Sequence, residues 1–214
     1  MKVKVTPSKV HGNVKIPASK SMAHRALICA SLSDGTSIVS NVTNSKDIEA
    51  TVGCMKALGA NIKQINETTY EVTGTNLFKQ EGNITCNANE SGSTLRFLIP
   101  LAACTNAKVK FLGQGRLLQR PMDVYKNEFK EQNIEFNQSN QEIIVSGNLK
   151  AKDYVVQGDI SSQFITGFMF VLPLLNQDST LTITEPYESK SYVNLTIQML
   201  AKFGIEIIET SSNS

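Results

Sequence analysis

Residues 13–42 read NVKIPASKSMAHRALICASLSDGTSIVSNV, and the pattern of this stretch returns twice further along the chain. It begins as a short strand, passes through a serine-rich turn into an apolar helix, and leaves through a small-residue turn into a second strand. Residues 83–113 and 153–186 repeat this order, and each repeat continues into another helix and strand. Because a fixed internal period identifies a repeated supersecondary unit, the chain is predicted to contain three βαβαββ units.

The two helices of each unit differ in where their apolar residues lie. The first helices are apolar nearly all round, which indicates burial on most sides. The second helices, such as 46–58 and 122–132, carry charges on one face. Strands such as TSIVSNV (36–42) alternate and are rich in β-branched residues, as half-exposed sheet strands are. This pattern predicts an α+β (α/β) fold with helices inside and sheets outside. The first helices are predicted at 22–32, 94–104 and 164–175.

The repeat also sets the predicted boundaries. The units are expected at about 11–75, 83–147 and 153–214. The first two end in a strand pair, whereas the third stops after GIEIIETSSNS (204–214), so we expect it to be incomplete.

Composition excludes several classes of function. The chain has 214 residues, of which 41% are hydrophobic and 19% charged, and its net charge is +2. This balance gives no field suited to nucleic acid. No apolar run of about 18 residues predicts a membrane span, and no apolar signal core is present, so a cytoplasmic location is predicted. Cysteines 29, 54, 86 and 104 lack metal-ligand spacing and are expected to be buried thiols.

Arginine is scarce, and its positions are informative. The chain has four arginines and seventeen lysines, and Arg25, Arg96, Arg116 and Arg120 all lie in or beside the polar ends of the repeat units. The planar guanidinium suits bidentate contacts to phosphate or carboxylate. The first helices also begin in serine-rich turns. These serines can act as simple helix caps, but three helix starts gathered at one end would also attract anions.

A helix dipole contributes only about 0.3–1 kcal/mol to anion binding. Charge-assisted hydrogen bonds of about 1.5–3 kcal/mol each are needed in addition. Ser21 and Arg25 lie four residues apart and therefore share a helix face with Lys20 alongside. The sequence thus predicts a site for a small phosphorylated ligand at these helix starts.

These segments resemble EPSP synthases over the whole chain, in order. PASKSMAHRALICASL (17–32) resembles the family's first signature, and NESGSTLRFLIPLA (89–102) resembles its Gly-Thr-x-x-Arg signature. The segment from Arg120 to Met122, DISSQF (159–164) and ESKSY (188–192) resemble the later signatures. The resemblance implies an enolpyruvyl transferase-like fold of two such domains. It implies transfer of an enolpyruvyl group from phosphoenolpyruvate to shikimate 3-phosphate, in aromatic amino acid biosynthesis, with no metal or organic cofactor.

The resemblance also assigns roles to residues of this chain. Contacts to shikimate 3-phosphate are implied for Ser21, Arg25, Ser161, Ser162, Gln163, Ser189 and Tyr192. On this basis Arg25 and Ser161 are expected to be ligand contacts rather than supports of the fold. Contacts to phosphoenolpyruvate are implied for Lys20, Gly92, Arg120 and Gln163. Asp47 in the pocket wall and Arg96 bracing the second helix have supporting roles.

The resemblance implies that this chain holds no catalytic residue. The proton-transfer groups are expected in a second, C-terminal domain, to which the strand at residues 1–10 would also belong. The chain is therefore expected to be inactive alone. At Glu90 the family's best-known sequences carry Asn, and at Phe97 they carry Pro, which leaves the role of Glu90 open.

Two other functions remain open. One is a non-catalytic module that binds a phosphorylated ligand. The other is UDP-N-acetylglucosamine enolpyruvyl transferase, which shares the fold. That family characteristically has Lys-Asn where this chain has Lys20 and Ser21, and a reactive cysteine where this chain has GQGRLLQRP (113–121).

Overall fold

A computed structural model describes residues 2–9 and 11–210 of the chain. Within them the helices are α1 (Lys20–Leu32), α2 (Lys46–Ala57), α3 (Gly92–Ala102), α4 (Asp123–Glu131), α5 (Ser162–Val171) and α6 (Lys190–Lys202). The strands are β1 (Thr36–Val39), β2 (Asn61–Asn66), β3 (Thr69–Thr73), β4 (Glu81–Asn87), β5 (Asn106–Leu112), β6 (Glu135–Gln138), β7 (Ile143–Ser146), β8 (Asp153–Gln157) and β9 (Thr180–Thr184).

The second unit shows the complete βαβαββ motif. Its strands form one sheet in the order β4-β5-β7-β6, in which β4 and β5 run parallel and the other pairs run antiparallel. Strand β5 alternates between exposed or half-exposed lysines and the buried Ala107, Val109 and Phe111. One face of the sheet therefore meets solvent and the other packs on the helices.

The first unit lacks its opening strand. Its sheet has the order β1-β3-β2, and the edge of β1 corresponding to the β4 position has no strand within the described residues. The strand predicted within residues 13–17 is wrong: Val14 and Ile16 are 85% and 83% exposed. A strand is stable only when its backbone groups are paired and one face is covered. Residues 13–17 have neither a paired backbone nor a covered face.

Residues 2–9 are also exposed and form no strand. Their predicted place in a second domain stays a prediction, and positions 1 and 10 of that segment lie outside the described residues.

Within the described residues, the sheet of the third unit consists of the parallel pair β8-β9. Residues 205–208 follow α6 as expected but form no strand. Residues 211–214 of the predicted third unit lie outside the described part of the chain.

The ends of the second helices confirm the internal repeat. Gly59, Asn133 and Gly204 each follow such a helix with a positive φ. The next residue donates its amide hydrogen back to a carbonyl five residues earlier, and the three N···O distances are 3.0, 2.9 and 3.1 Å. This pattern is a Schellman-type helix end, and it occurs once in each unit.

The first helices form the centre of the molecule. Helices α1, α3 and α5 are buried along most of their length, which confirms the prediction of helices inside and sheets outside. All four cysteines are buried and unpaired, as expected from their spacing. Hydrogen bonds join the starts of these helices: Lys20 bonds to Asp47, whose carbonyl contacts Thr94 on α3, and Gln163 on α5 bonds to Ser93 on α3.

Candidate functional site

Each buried helix begins with a serine that caps it. Ser19, Ser91 and Ser161 accept hydrogen bonds from backbone amides two or three residues later, with N···O distances of 3.3, 3.2 and 3.4 Å. These three serines satisfy amide groups that have no partner within the helix. The capping role is therefore observed, and the neighbouring residues decide whether the helix starts can also hold an anion.

Lys20 and Asp47 form the first corner of the site. Lys20 Nζ donates to Asp47 Oδ2 at 2.5 Å, which joins the start of α1 to the first turn of α2. The backbone carbonyl of Asp47 lies 3.3 Å from Thr94 Oγ1 on α3. The ion pair holds the Lys20 ammonium at the mouth of the site, and it partly neutralises that charge.

A second corner gathers residues from α3, α5 and the loop before α4. Arg96 Nη1 donates to Gln163 Oε1 at 3.0 Å, and Gln163 Nε2 donates to Ser93 Oγ at 2.9 Å. The Arg120 guanidinium lies directly over Gly92, because a Cβ placed on Gly92 would be 2.5 Å from Arg120 Nη1. Glycine at this position allows the cation to approach the backbone closely.

Two cations share this corner. Burial lowers the pKa of Arg96, and the nearby positive charge of Arg120 lowers it further. Arg96 also lies over the Phe164 ring, 4.7 Å from its centroid. Two arginines held close together, with no carboxylate partner among the described residues, have the chemistry to bind an anion.

Arg25 joins three helices. Its Nε donates to Thr196 Oγ1 at 2.8 Å and one Nη donates to the Ser21 carbonyl at 2.8 Å. The other Nη lies 3.0 Å from the Tyr192 carbonyl and 3.3 Å from Thr166 Oγ1. These bonds connect α1 to α5 and α6. The guanidinium therefore fixes the relative positions of Ser21 and Tyr192, two of the predicted ligand contacts.

The expectation that Arg25 does not support the fold is wrong. Arg25 is only 3% exposed, and its guanidinium lies 5.3 Å from the centroid of the buried Phe97 ring. Burial lowers its pKa to about 10, so the group remains charged at neutral pH. Removing a buried cation with this many partners would leave several polar groups unsatisfied. Phe97 is a packing partner of this cation.

The other predicted shikimate 3-phosphate contacts lie at the starts of α5 and α6. Ser162 is buried beside the capping Ser161, and Gln163 follows in the same turn. Ser189 precedes α6 in a left-handed conformation, with φ 58°, and makes no capping bond with its side chain. Tyr192 is 49% exposed, so its ring is accessible although its carbonyl is bound to Arg25.

Glu90 turns toward the loop before α4. Its Oε1 lies against Gly115, where an added Cβ would be 2.7 Å away, and its neighbour Asn89 accepts a bond from Gln114 N at 2.6 Å. Glu90 forms no ion pair with an arginine in the described part of the chain. Its carboxylate therefore borders the loop that carries Arg120.

Sequence reasoning missed a buried polar chain behind the site. His24 Nδ1 lies 2.7 Å from Thr51 Oγ1, which lies 2.7 Å from Thr94 Oγ1, and Thr94 Oγ1 lies 2.8 Å from the capping Ser91 Oγ. The chain links α1, α2 and α3. Burial lowers the pKa of His24 to about 4, and its Nε2 has no hydrogen-bond partner. Polar residues recurring on the predicted buried helices were the available signal.

Sequence reasoning also missed Thr166 and Thr196, which bond to Arg25 and could have been found as hydroxyl side chains on otherwise apolar helix faces. Ser93, in the serine-rich turn at the start of α3, bonds to Gln163. Their bonds to Arg25 and Gln163 make them positioning residues for the predicted site.

Lysine and arginine have different roles in this molecule. In residues 2–9 and 11–210 every carboxylate ion pair is made by a lysine: Lys20, Lys108, Lys110 or Lys152. None of the four arginines has a carboxylate partner there. The same residues contain no cluster of three or more His, Cys, Asp or Glu side chains that could hold a metal ion. The chemistry available at this end of the domain is recognition of an anion by arginine, hydroxyl and amide groups.

Comparison with known proteins identifies the family of this chain. The family model for EPSP synthase (3-phosphoshikimate 1-carboxyvinyltransferase) matches residues 5–214. The chain belongs to the EPSP synthase family. Similar proteins include a 3-phosphoshikimate 1-carboxyvinyltransferase from Clostridium perfringens, 49% identical over 96% of this chain and 49% of its own length. One from Clostridioides difficile is 46% identical over 98% of the chain and 50% of its own length.

The chain thus spans about half the length of the EPSP synthases that it matches. Among solved structures, EPSP synthase from Acinetobacter baumannii has the same fold, with a TM-score of 0.77 at 18% identity. The match covers 94% of this chain and 45% of that one. Among the described residues no helix combines the length and apolar character that a membrane crossing requires.

Proposed function

We propose that this chain is the shikimate 3-phosphate-binding half of a 3-phosphoshikimate 1-carboxyvinyltransferase. The observation that carries the proposal is that Arg25, Arg96 and Arg120, which have no carboxylate partner among the described residues, contact groups at the starts of α1, α3 and α5 in an EPSP synthase family member. Around Arg25, the elements bearing Ser21, Ser162 and Tyr192 converge, and these would hold the phosphate and hydroxyl groups of shikimate 3-phosphate. The cytoplasmic location predicted from the sequence stays a prediction.

Around Arg120, the groups Gly92, Gln163 and Lys20 would contact phosphoenolpyruvate. The hydrogen bonds from Arg96 to Gln163 and from Gln163 to Ser93 fix the Gln163 amide, which in this proposal contacts both ligands. Asp47 orients the Lys20 ammonium through their ion pair. In this proposal the chain positions both substrates, and the proton-transfer groups belong to the other half of the enzyme.

The experiment is a titration of the ¹⁵N-labelled chain with shikimate 3-phosphate, followed by amide shifts. Shifts at Ser21, Ser161 and Ser162 should saturate, and unphosphorylated shikimate should bind at least about tenfold more weakly because it lacks the charge-assisted contacts. Ser189→Ala should weaken binding, whereas Ser191→Ala, two residues further along the same exposed end of α6, should not. Absence of saturable binding, or equal effects of the two serine variants, would show that the subsite is wrongly assigned.

A binding module without catalysis is a second candidate, because the anion-binding groups described above do not by themselves require turnover. The two candidates differ in what happens when the complementary half is added. Phosphate release from phosphoenolpyruvate should stay at background with this chain alone and should rise on addition of that half if the proposed enzyme is correct. Binding that never leads to turnover would favour the module.

A further inference from the structure

The buried polar chain behind the site ends at the start of α3, and its hydrogen bonds have a direction. It runs from His24 Nδ1 to Thr51 Oγ1, then to Thr94 Oγ1 and finally to Ser91 Oγ, over distances of 2.7, 2.7 and 2.8 Å. All four residues are buried. Because a hydroxyl group has one hydrogen to donate and two lone pairs that accept, the direction of each bond restricts the direction of the next.

Thr94 fixes the direction of the whole chain. Its Oγ1 lies 3.3 Å from the Asp47 carbonyl, which can only accept, and its contact with Ser91 Oγ has the geometry of donation from Thr94. The single hydrogen of Thr94 is therefore directed to these two oxygens. In the contact between Thr51 and Thr94 the hydrogen must then come from Thr51. Thr51 has no second hydrogen for the ring of His24, so the hydrogen of that bond belongs to His24 Nδ1.

This requirement selects one tautomer of His24. Burial lowers the pKa of the ring to about 4, so at neutral pH it carries one hydrogen, on Nδ1 or on Nε2. Nε2 has no hydrogen-bond partner within the described residues, so no contact there favours a hydrogen on Nε2. With the hydrogen on Nε2, Nδ1 and Thr51 Oγ1 would face each other at 2.7 Å with lone pairs alone. The tautomer is therefore set by the bond that Nδ1 makes.

Ser91 lies at the outer end of the chain. Its Oγ accepts from the Thr94 amide at 3.2 Å and from the Thr94 hydroxyl at 2.8 Å, so both of its lone pairs are used. Among residues 2–9 and 11–210 no group accepts the hydrogen of the Ser91 hydroxyl. The next residue is Gly92, beside the Arg120 guanidinium. If the chain ran the other way, Ser91 would donate to Thr94 and would present a lone pair, which repels an anion.

We propose that His24 is held as its Nδ1–H tautomer and is a positioning residue, which acts through Thr51 and Thr94 to leave the Ser91 hydroxyl hydrogen free to donate to an anion. This donor would add to the amide groups at the start of α3 and to the Arg120 cation. The role toward an anion rests on the proposed function. The positions of the hydrogens do not, and they can be measured without a ligand.

The tautomer is tested by ¹⁵N spectra of the histidine rings in the free chain at neutral pH. The chain has two histidines, and His11 is exposed and serves as the internal reference. The Nδ1 signal of His24 should have the shift and the one-bond N–H coupling of a protonated nitrogen, and its Nε2 signal should be that of an unprotonated one. A hydrogen on Nε2, or signals averaged between the two forms, would overturn the proposal.

Substitutions on α3 test whether the hydroxyl chain sets this tautomer. Thr94→Val removes the acceptor of the Thr51 hydrogen, which should turn to His24 Nδ1, so that the ring hydrogen moves to Nε2. Thr94→Ser should restore the parent spectrum. Ser91→Ala is the matched control and should keep the Nδ1–H form, because the Asp47 carbonyl still accepts from Thr94. Thr94 and Ser91 do not touch the ring, so an unchanged tautomer in Thr94→Val, or a changed one in Ser91→Ala, contradicts the assigned direction.

Neutron diffraction from deuterated crystals of the parent chain locates the same hydrogens directly. The deuterium of Thr51 should lie toward Thr94, that of Thr94 toward Ser91 or the Asp47 carbonyl, and that of Ser91 away from Thr94. A Ser91 deuterium on the line to Thr94 Oγ1 removes the free donor and overturns the proposal. Neither measurement uses shikimate 3-phosphate or phosphoenolpyruvate, so failure of this proposal is distinguishable from failure of the proposed function.

Discussion

At residue scale, Gly92 has no room for a methyl group beside Arg120. An alanine Cβ would lie 2.5 Å from Arg120 Nη1, closer than real Cβ contacts allow, so the guanidinium must move. We expect Gly92→Ala to shift the Arg120 Nε–H signal in a ¹H–¹⁵N spectrum while that of Arg25 stays in place. With only four arginines in the chain, these signals can be assigned individually. Gly53→Ala is the matched control, because a Cβ there meets nothing within 4 Å. An unmoved Arg120 signal in Gly92→Ala would contradict the described contact.

His24 makes stability depend on pH. Burial lowers its pKa from 6.5 to about 4, so below pH 6.5 the unfolded chain binds more protons than the folded one. The free energy of unfolding should therefore fall as pH drops from about 6.5 to about 4, by up to about 3 kcal/mol from this group. In urea unfolding, His24→Gln should give a flatter profile over this window, and the exposed His11→Gln should keep the parent slope. Parallel profiles for the parent and His24→Gln would rule out this source of the pH dependence.

The sequence predicted which residues lie together at the candidate site, but it did not predict the contacts that hold them in place. Because the chain has few arginines, their positions in the sequence predicted that they lie near the helix starts. Arg96 and Arg120 do lie close together there. Spacing could place Ser21 and Arg25 on one face, but it could not show that Arg25 is buried. That burial depends on Thr166 and Thr196, which come from α5 and α6, more than 140 residues away in the chain.

At the scale of elements, a proline within α3 changes which group bonds to the Arg96 carbonyl. Pro100 has no amide hydrogen, so the Arg96 carbonyl loses its bond within the helix. Tyr125 OH donates to that carbonyl instead, at 2.7 Å. Gly167 permits this approach, since a Cβ there would lie 2.2 Å from the Tyr125 oxygen. A residue of α4 thus stabilises the helix that carries Arg96.

Tyr125→Phe should therefore reduce the free energy of unfolding by about 1–3 kcal/mol, because the buried carbonyl is left without a donor. The loss should be smaller when Pro100 is also replaced by Ala, since residue 100 then supplies an amide hydrogen to the same carbonyl. A double-mutant cycle measured by urea unfolding tests this coupling. Strictly additive effects of the two substitutions would show that the tyrosine does not replace the missing bond.

Helices and hairpins could be predicted because they depend on residues close together in the sequence. Strands that must pair with a distant segment could not. The buried helices and the hairpins β2-β3 and β6-β7 follow from periodicity and turn residues. Residues 13–17 and 205–208 have equally good strand patterns, yet neither forms a strand. Strand formation requires a neighbouring edge, and a sequence pattern cannot show whether the neighbour is present.

At the scale of the whole molecule, the two predicted subsites are unequally complete. Ser21, Arg25, Ser162 and Tyr192 lie on helices that the described fold fixes to one another. Phosphoenolpyruvate would contact Lys20, which is partly neutralised by Asp47, and Arg120, whose loop is bordered by the Glu90 carboxylate. The match to relatives of twice this length fits a ligand shared with a second half.

We therefore expect the chain to bind shikimate 3-phosphate measurably and phosphoenolpyruvate far more weakly. Each missing charge-assisted contact costs about 1.5–3 kcal/mol, and a few of them reduce affinity by several orders of magnitude. In parallel NMR titrations, shifts near Ser161 and Ser162 should saturate with shikimate 3-phosphate, while Gly92 and the Arg120 Nε–H should not respond to phosphoenolpyruvate alone. Arg120→Gln should leave the affinity for shikimate 3-phosphate close to that of the parent, and Arg116→Gln, in the same loop, serves as its control. Saturation by phosphoenolpyruvate at Gly92 without a response at Ser161 would reverse the assignment, because it would place the more complete anion site beside Arg120.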